Sequence, residues 1–309
     1  MTRYLLRKLG EATLVMFGVL TLIFFIQRLT GDPTFLLLPE TATQADIEAM
    51  RHALGFDRPL MVQYLSFLAD LVRFDLGRSV IQNLPVTDII GSRLPYTLML
   101  AGGALAVSCL IGIPLGVVMA LNHGTTFATV LSSLVVAAQS LPTFWSGIIL
   151  ILIFAVSLGW LPPSSAGGFS HLVLPSIALG LLSMATFARV TRTAILDELS
   201  KEYVRTARAR GVGMGRLVTR HLARNASIPL ITVAALEVSN LLAGAVVVET
   251  VFAWPGLGQL TMQSIVSRDF MVVQGVVLLG AFVTVVLNVM ADILYSIVDP
   301  RITLSARPS

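Results

Sequence analysis

The sequence falls into apolar blocks long enough to cross a lipid bilayer as helices, and most of its charge is gathered between them. A hydrocarbon core of about 30 Å takes roughly 20 apolar residues in helical form. Six segments meet that length: residues 9–29, 95–121, 127–158, 172–195, 228–252 and 271–298. Only 12% of the residues are charged, against roughly 25% in a soluble domain. Lipid must therefore serve as much of the solvent, and the fold predicted is an all-α membrane protein with six transmembrane helices. The third block is too long for one straight span. Cutting it at Gln139-Ser140-Leu141-Pro142 leaves two pieces each too short to cross. Pro142 removes a backbone donor and disfavours helix at Leu141, so one kinked span is expected. The apolar run from Leu9 follows Arg3, Arg7 and Lys8 and lacks a small-x-small cleavage site near its end, so it reads as an uncleaved first span.

Lysine and arginine placement sets the orientation. The amino-terminal cluster and a dense basic stretch between the fourth and fifth blocks share one side, with Arg301 and Arg307 after the sixth. Both termini are thus expected in the cytoplasm of a bacterial cell, with the chain in its inner membrane. The remaining arginines lie mainly in or beside one loop, residues 30–94, on the other side. Three regions follow: residues 1–29 as amino terminus and first span, 30–94 as an extracytoplasmic amphipathic segment, and 95–309 as a five-span core. The loop is expected to be structured. Thr43 and Asp46 have capping-box spacing, Ile47, Met50 and Leu54 recur with a helical period, and Gly55 suits a stop. Pro59 suits a first helical position before Val62, Tyr64, Leu65, Leu68 and Leu71. Gly77, Pro85 and Pro95 punctuate the return to the membrane, and these pieces are expected to lie on the outer membrane surface or on a partner.

Between the fourth and fifth blocks, within residues 196–227, Leu199, Tyr203, Ala207 and Arg210 fall at helical spacing, with acids near the start and bases near the end. Gly211, Gly213 and Gly215 then permit a sharp turn, and a second basic amphipathic helix leads to Pro229. A short helix of this kind, with nothing of its own to pack against, either enters a groove of another protein or lies on anionic lipid.

The run Glu202-Tyr203-Val204-Arg205-Thr206-Ala207-Arg208-Ala209-Arg210-Gly211, with Arg220-His221 and Arg224-Asn225-Ala226 before Ile228-Pro229, resembles the coupling loop of ABC-importer permeases in the dipeptide, oligopeptide and nickel branch. It departs from the wider Glu-Ala-Ala pattern, since Arg205-Thr206-Ala207 stands in that register and Pro229 lies further from Gly211. Further stretches are similar in order along nearly the whole chain: Gly31-Asp32-Pro33, Leu54 to Leu60, Asp75-Leu76-Gly77-Arg78-Ser79, Glu249 to Gly258, and Asp299-Pro300-Arg301-Ile302. The resemblance implies the fold of a type I ABC-importer permease that carries peptides or similar small solutes. It implies a second homologous permease, two cytoplasmic ATPase subunits or domains and an extracytoplasmic substrate-binding protein as partners. Glu202, Tyr203, Val204, Arg205, Thr206, Ala207 and Gly211 would then couple to the ATPases, with Asn122-His123-Gly124 a further contact. ATP and magnesium would sit on those partners, and this chain would bind no cofactor.

The residues agree with that division of labour. Lys8 and Lys201 are the only lysines, and neither completes G-x-x-x-x-G-K-[ST], so a phosphate-binding loop is missing. No Ser/His/Asp or Cys/His constellation points to catalysis. The four histidines lie in four different loops and form no i, i+4 metal pair. The single cysteine, Cys109, reads as a small buried hydrophobe. No basic patch interleaved with aromatics suggests nucleic acid. Ionisable residues inside spans are functional candidates by default: Glu11, Glu237 and Asp292, with Arg189 near the end of the fourth span. Glu237, with Ser239 and Asn240 nearby, could line a wet pathway or join helices by a hydrogen bond. Asn288 reads as interhelical glue, Trp145 and Trp160 as interfacial residues, and Trp254-Pro255-Gly256 as an extracytoplasmic turn bearing on a partner. A metal-chelate importer, an ion-coupled carrier and a membrane-embedded receptor remain alternatives. The carrier should show paired buried charges and matching interrupted spans in two halves.

Overall fold

The computed structural model describes residues 2–29, 43–53, 55 and 57–298. Its elements there are helical, apart from an isolated bridge between Arg78 and Pro85. In chain order they are α1 (Thr2–Leu29), α2 (Gln44–Ala53), α3 (Leu60–Val72), α4 (Val86–Leu121), α5 (Thr126–Gln139) and α6 (Thr143–Leu150), which runs on as a π-helix to Ser157. Then follow α7 (Phe169–Leu199), α8 (Glu202–Ala209), α9 (Met214–Leu217), a π-turn over Val218–Leu222, α10 (Ala223–Val251), α11 (Leu257–Val266) and α12 (Phe270–Val298).

Among the described residues, α4, α7, α10 and residues 270–291 of α12 are long and apolar enough to cross a bilayer. A shorter apolar stretch, Gly10–Ile26, lies within α1. The expected single kinked span over 127–158 is two helices bent by 101°. Ser140 closes α5 and Pro142 caps α6, so the break falls where the proline forbids continuation. The second block starts earlier than expected, because α4 runs through Pro95. Its first turns bury Val86, Ile89 and Ile90 against Leu260, Val272 and Val276, and this packing outweighs one lost backbone bond.

The core is the α4–α7 pair. Small residues let the two backbones close: a Cβ on Gly112 would lie 2.6 Å from the Met184 carbonyl, and one on Gly116 2.5 Å from that of Ala188. Ser108 Oγ also donates to the Gly180 carbonyl at 2.8 Å. Without a hydrophobic drive between helices in lipid, such close contact and interhelical hydrogen bonding hold the pair. α10 closes the core through Leu241, Ala245 and Val248, packed with Leu100, Leu174 and Leu179.

The segment after α1 is helical and capped as expected. Asp46 Oδ2 accepts from Thr43 N at 2.9 Å, and Asp46 N donates to Thr43 Oγ1 at 3.3 Å. The side chains of Ile47 and Met50, and Leu54 altogether, lie outside the described residues, as do Gly31-Asp32-Pro33, the Asp292 side chain and Asp299 to Ile302. Pro59 stands one place earlier than expected, as the cap of α3. α3 packs on its own chain: Tyr64 meets Phe24 edge-on at 5.2 Å between ring centroids, and its hydroxyl lies 2.6 Å from Thr21 Oγ1.

Candidate functional site

The ends of α4, α7 and α10 converge with α8 on one apolar cluster, here called the basic end. Ala120, Ile195, Val204, Leu217, Leu222 and Ala226 form its buried centre. The apolar face of the short helix was expected to be unpartnered, and it is not. Val204 is buried within the cluster, and Ala207 and Val212 pack against it. Leu199 belongs to the end of α7, and Val204 rather than Tyr203 leads the inner face. The apolar residues fasten α8 to its own bundle, and the opposite face carries Glu202, Arg205 and Thr206; these, with Arg208 and Arg210 at the end of the helix, are exposed.

Gly211 ends the helix for a stereochemical reason. Its φ is +76°, Gly211 N donates to the Arg208 carbonyl at 2.9 Å, and Val212 N donates to that of Ala207 at 3.1 Å. These are the two bonds of a Schellman motif, with Val212 supplying the apolar contact back to the helix. A residue with a Cβ would be disfavoured there by roughly 1–2 kcal/mol.

Sequence reasoning missed the residue that ties this end together. Glu198, the penultimate residue of α7, is 7% exposed. Its carboxylate accepts from Lys201 Nζ, from the Tyr203 hydroxyl at 2.5 Å and from Asn225 Nδ2 at 2.9 Å. Three segments therefore share one anion: the end of α7, the front of α8 and the start of α10. Burial, together with the Glu198 carboxylate to which it donates, holds the Tyr203 phenol above its ordinary value, so it remains a donor. The available signal was Asp197-Glu198 beside a lysine, which resembles ordinary surface charge.

The two pathway candidates separate. Glu237 is buried and accepts from Ser183 Oγ at 2.6 Å, joining α10 to α7, whereas Asn240 is exposed. Glu11, Trp145 and Trp160 are exposed, and Cys109 is half-buried. Asn288 is exposed rather than packed between helices. Among the described residues, no group of three or more His, Cys, Asp or Glu could hold a metal ion.

A second carboxylate organises the opposite end. Glu249, near the end of α10, is fully buried and accepts from Thr97 Oγ1 at 2.7 Å, Gly258 N at 2.6 Å and Gln259 N at 3.1 Å. It thus satisfies the first amides of α11, which carry no intrahelical partner. Trp254 does not face outward as expected. It is 2% exposed, and its indole donates to the Tyr96 carbonyl at 2.9 Å, since burying so large a ring with its N–H satisfied is the favourable arrangement.

Similarity to known proteins covers nearly the whole chain. The family model for the binding-protein-dependent transport system inner membrane component matches residues 112–304, and the model for the amino-terminal part of such components matches residues 1–101. A peptide transport system permease protein of Brucella abortus is 39% identical, the alignment covering 98% of this chain and 99% of the relative. The di/tripeptide transport system permease protein DppB of Pseudomonas aeruginosa is 38% identical over the same shares. Among solved structures, an inward-facing form of the MetNI methionine ABC transporter aligns with 69% of this chain and 97% of its own at a TM-score of 0.58 and 20% identity, a likeness of fold. The chain belongs to the family of inner membrane components of binding-protein-dependent transport systems.

Proposed function

We propose that this chain is the translocating subunit of a peptide importer that works with ATPases on separate polypeptides. The names of its relatives support peptides as the substrate class. In this reading it crosses the inner membrane six times: by α1, α4, the bent α5–α6 pair, α7, α10 and α12. The basic end and both termini face the cytoplasm, and residues 30–94 lie outside. A second, homologous permease completes the pathway, two ATPase subunits bind below it with ATP and magnesium, and a binding protein delivers peptide from outside. This chain itself is not an enzyme.

One observation carries the coupling role: α8 is fixed on its inner face and cationic on its outer face. Val204 and the Glu198 bonds make α8 one body with the ends of α7 and α10. A push on Glu202, Arg205 or Thr206 is thereby passed directly to two spans. The outer face suits a groove that accepts a cationic helix. Closure of the ATPases on ATP would draw two such helices together and shift the permease pair between its inward- and outward-open states, as differential binding to two states requires. Tyr203, Ala207 and Gly211 act from within, by bonding, packing and ending the helix.

Co-purification with the partner subunits, followed by ATPase and peptide-uptake measurements in proteoliposomes, tests the reading. Gly211→Pro should abolish uptake while the subunit still inserts. Normal uptake by a fully assembled Gly211→Pro complex, or peptide uptake by the isolated chain, would overturn it.

A further inference from the structure

Arg189 lies ten residues before the end of α7, about 15 Å along the axis. That helix has 31 residues, about 46 Å, and is longer than a hydrocarbon core of about 30 Å; Arg189 lies in its half nearer the basic end. The residue is exposed, and its guanidinium donates to Gln139 Oε1 at 2.5 Å, a neutral acceptor. Among the described residues no carboxylate forms an ion pair with it.

The direction of the side chain follows from helix geometry. Gly180 marks the face of α7 pressed on α4, since a Cβ there would lie 2.8 Å from the Ala104 carbonyl. Nine residues at about 100° each bring Arg189 half a turn round, to the side away from α4. There it looks between α5, which carries Gln139, and α10. A cleft of about 300 Å³ opens at this place, lined by Arg189, Val190, Thr193, Ala194, Asp197 and Pro229. Asn240 is exposed eleven residues beyond Pro229, about three turns along α10, and so shares its face. Asn240 thus lies on the face of α10 that carries Pro229, one wall of the cleft at Arg189.

A guanidinium facing lipid tails is strongly disfavoured, and such residues line wet cavities or meet an opposite charge. Gln139 supplies a dipole but no charge, and it occupies one of five N–H donors. The vacant planar fork matches a carboxylate in two-point fashion. We propose that Arg189, steadied by Gln139, is an anion station in the translocation groove between α7 and α10, and that it takes the terminal carboxylate of the passing peptide. The proposal rests on the peptide-import reading above.

The test places cysteine at this position in a Cys109→Ser background, with the complex reconstituted with its partner subunits. Arg189→Cys should lower peptide uptake about tenfold, the scale of a lost charge-assisted contact. A methanethiosulfonate reagent bearing an ammonium group should restore most of that uptake, and neutral or sulfonate-bearing reagents should not. With the binding protein omitted, a transported peptide should slow labelling of the cysteine, and its carboxy-terminal amide should not. Three results would overturn the proposal: no labelling in the intact complex, rescue by the neutral reagent equal to that by the cationic one, or equal protection by acid and amide. Failure of the peptide reading is separately visible, as a parental complex that takes up no peptide.

Discussion

Each end of the bundle is held by a glutamate near the end of a long helix, and the two are built differently. Glu249 is sealed: three donors fill its oxygens, and glycines crowd its carboxylate. Its donors are a helix side chain and backbone amides of the neighbouring turn, none of which can swing away. Glu198 is shielded but not sealed. Its donors are the tips of Lys201, Tyr203 and Asn225, and Lys201 is half exposed. A node of backbone amides fixes one geometry. A node of side-chain tips holds three helices together yet can tilt with them. The difference suits the opposite end to a static cap and the basic end to transmitting motion.

The sharpest way to break this comparison is at the sealed end. Glu249→Ala leaves the buried amide of Gly258 without a partner, at about 1–3 kcal/mol, and the part-buried amide of Gln259 at less, and it empties the space its carboxylate fills. The expected result is a large fall in folded subunit, read as the melting midpoint of the purified protein in detergent. Gly258→Ala should behave alike, because its Cβ would lie 2.4 Å from Val246 Cα and 3.0 Å from Glu249 Oε2. Midpoints near the parent's for both variants would show that the opposite end is not a rigid cap.

The Glu198 counterpart should cost less stability and more coupling. Glu198→Gln keeps the shape and the bond from Tyr203 but removes the charge that faces Lys201. A hydrogen bond to a charged group is worth about 1.5–3 kcal/mol, and half-exposure of Lys201 puts this case at the low end. The melting midpoint should drop modestly, while peptide uptake per ATP hydrolysed falls severalfold in proteoliposomes. A parallel loss of uptake and ATPase activity would make Glu198 merely structural.

Much of this architecture was legible in the sequence, for identifiable reasons. Membrane spans are read from length and hydropathy alone, and the Gly211 stop and the Thr43–Asp46 cap are local events within a few residues. The two glutamate nodes are not local. Thr97 and Glu249 are 152 positions apart, and Glu198 and Asn225 are 27 apart. Only packing of α10 against α4 and α7 brings such partners together. The inner face of α8 was misread for the same reason, since periodicity shows a stripe and says nothing of what covers it. Pro95 misled because proline commonly ends helices, whereas here buried Val86, Ile89 and Ile90 carry the helix through it.

Within α8 the comparison can be repeated on one turn of helix. Val204→Ala removes two methyl groups from a buried cluster and should cost on the order of 1–2 kcal/mol. Arg205→Ala, fully on the outer face, should leave the midpoint within about 0.5 kcal/mol of the parent yet weaken binding of the ATPase subunits. Pull-down yield and melting midpoint should therefore rank the two variants in opposite orders, and the same order in both would erase the distinction between inner and outer face.

The smallest effect is expected from Tyr203→Phe, which removes one hydroxyl and keeps the ring. A single hydrogen bond contributes about 0.5–1.5 kcal/mol net, so the midpoint should shift slightly. The pH dependence is the more telling readout. The Tyr203 phenol is raised above its usual 10.0 in the folded protein, so the folded state holds that proton more tightly than the unfolded chain does. Its contribution is therefore fully present below the ordinary tyrosine range and is lost as pH rises through the folded value. The parent should lose stability relative to Tyr203→Phe above about pH 10, the unfolded value, and the two should run parallel below it. Parallel behaviour across the whole alkaline range would mean that the hydroxyl does not bond Glu198 in the membrane-embedded complex, and the basic end would then be held by Lys201 and Asn225 alone.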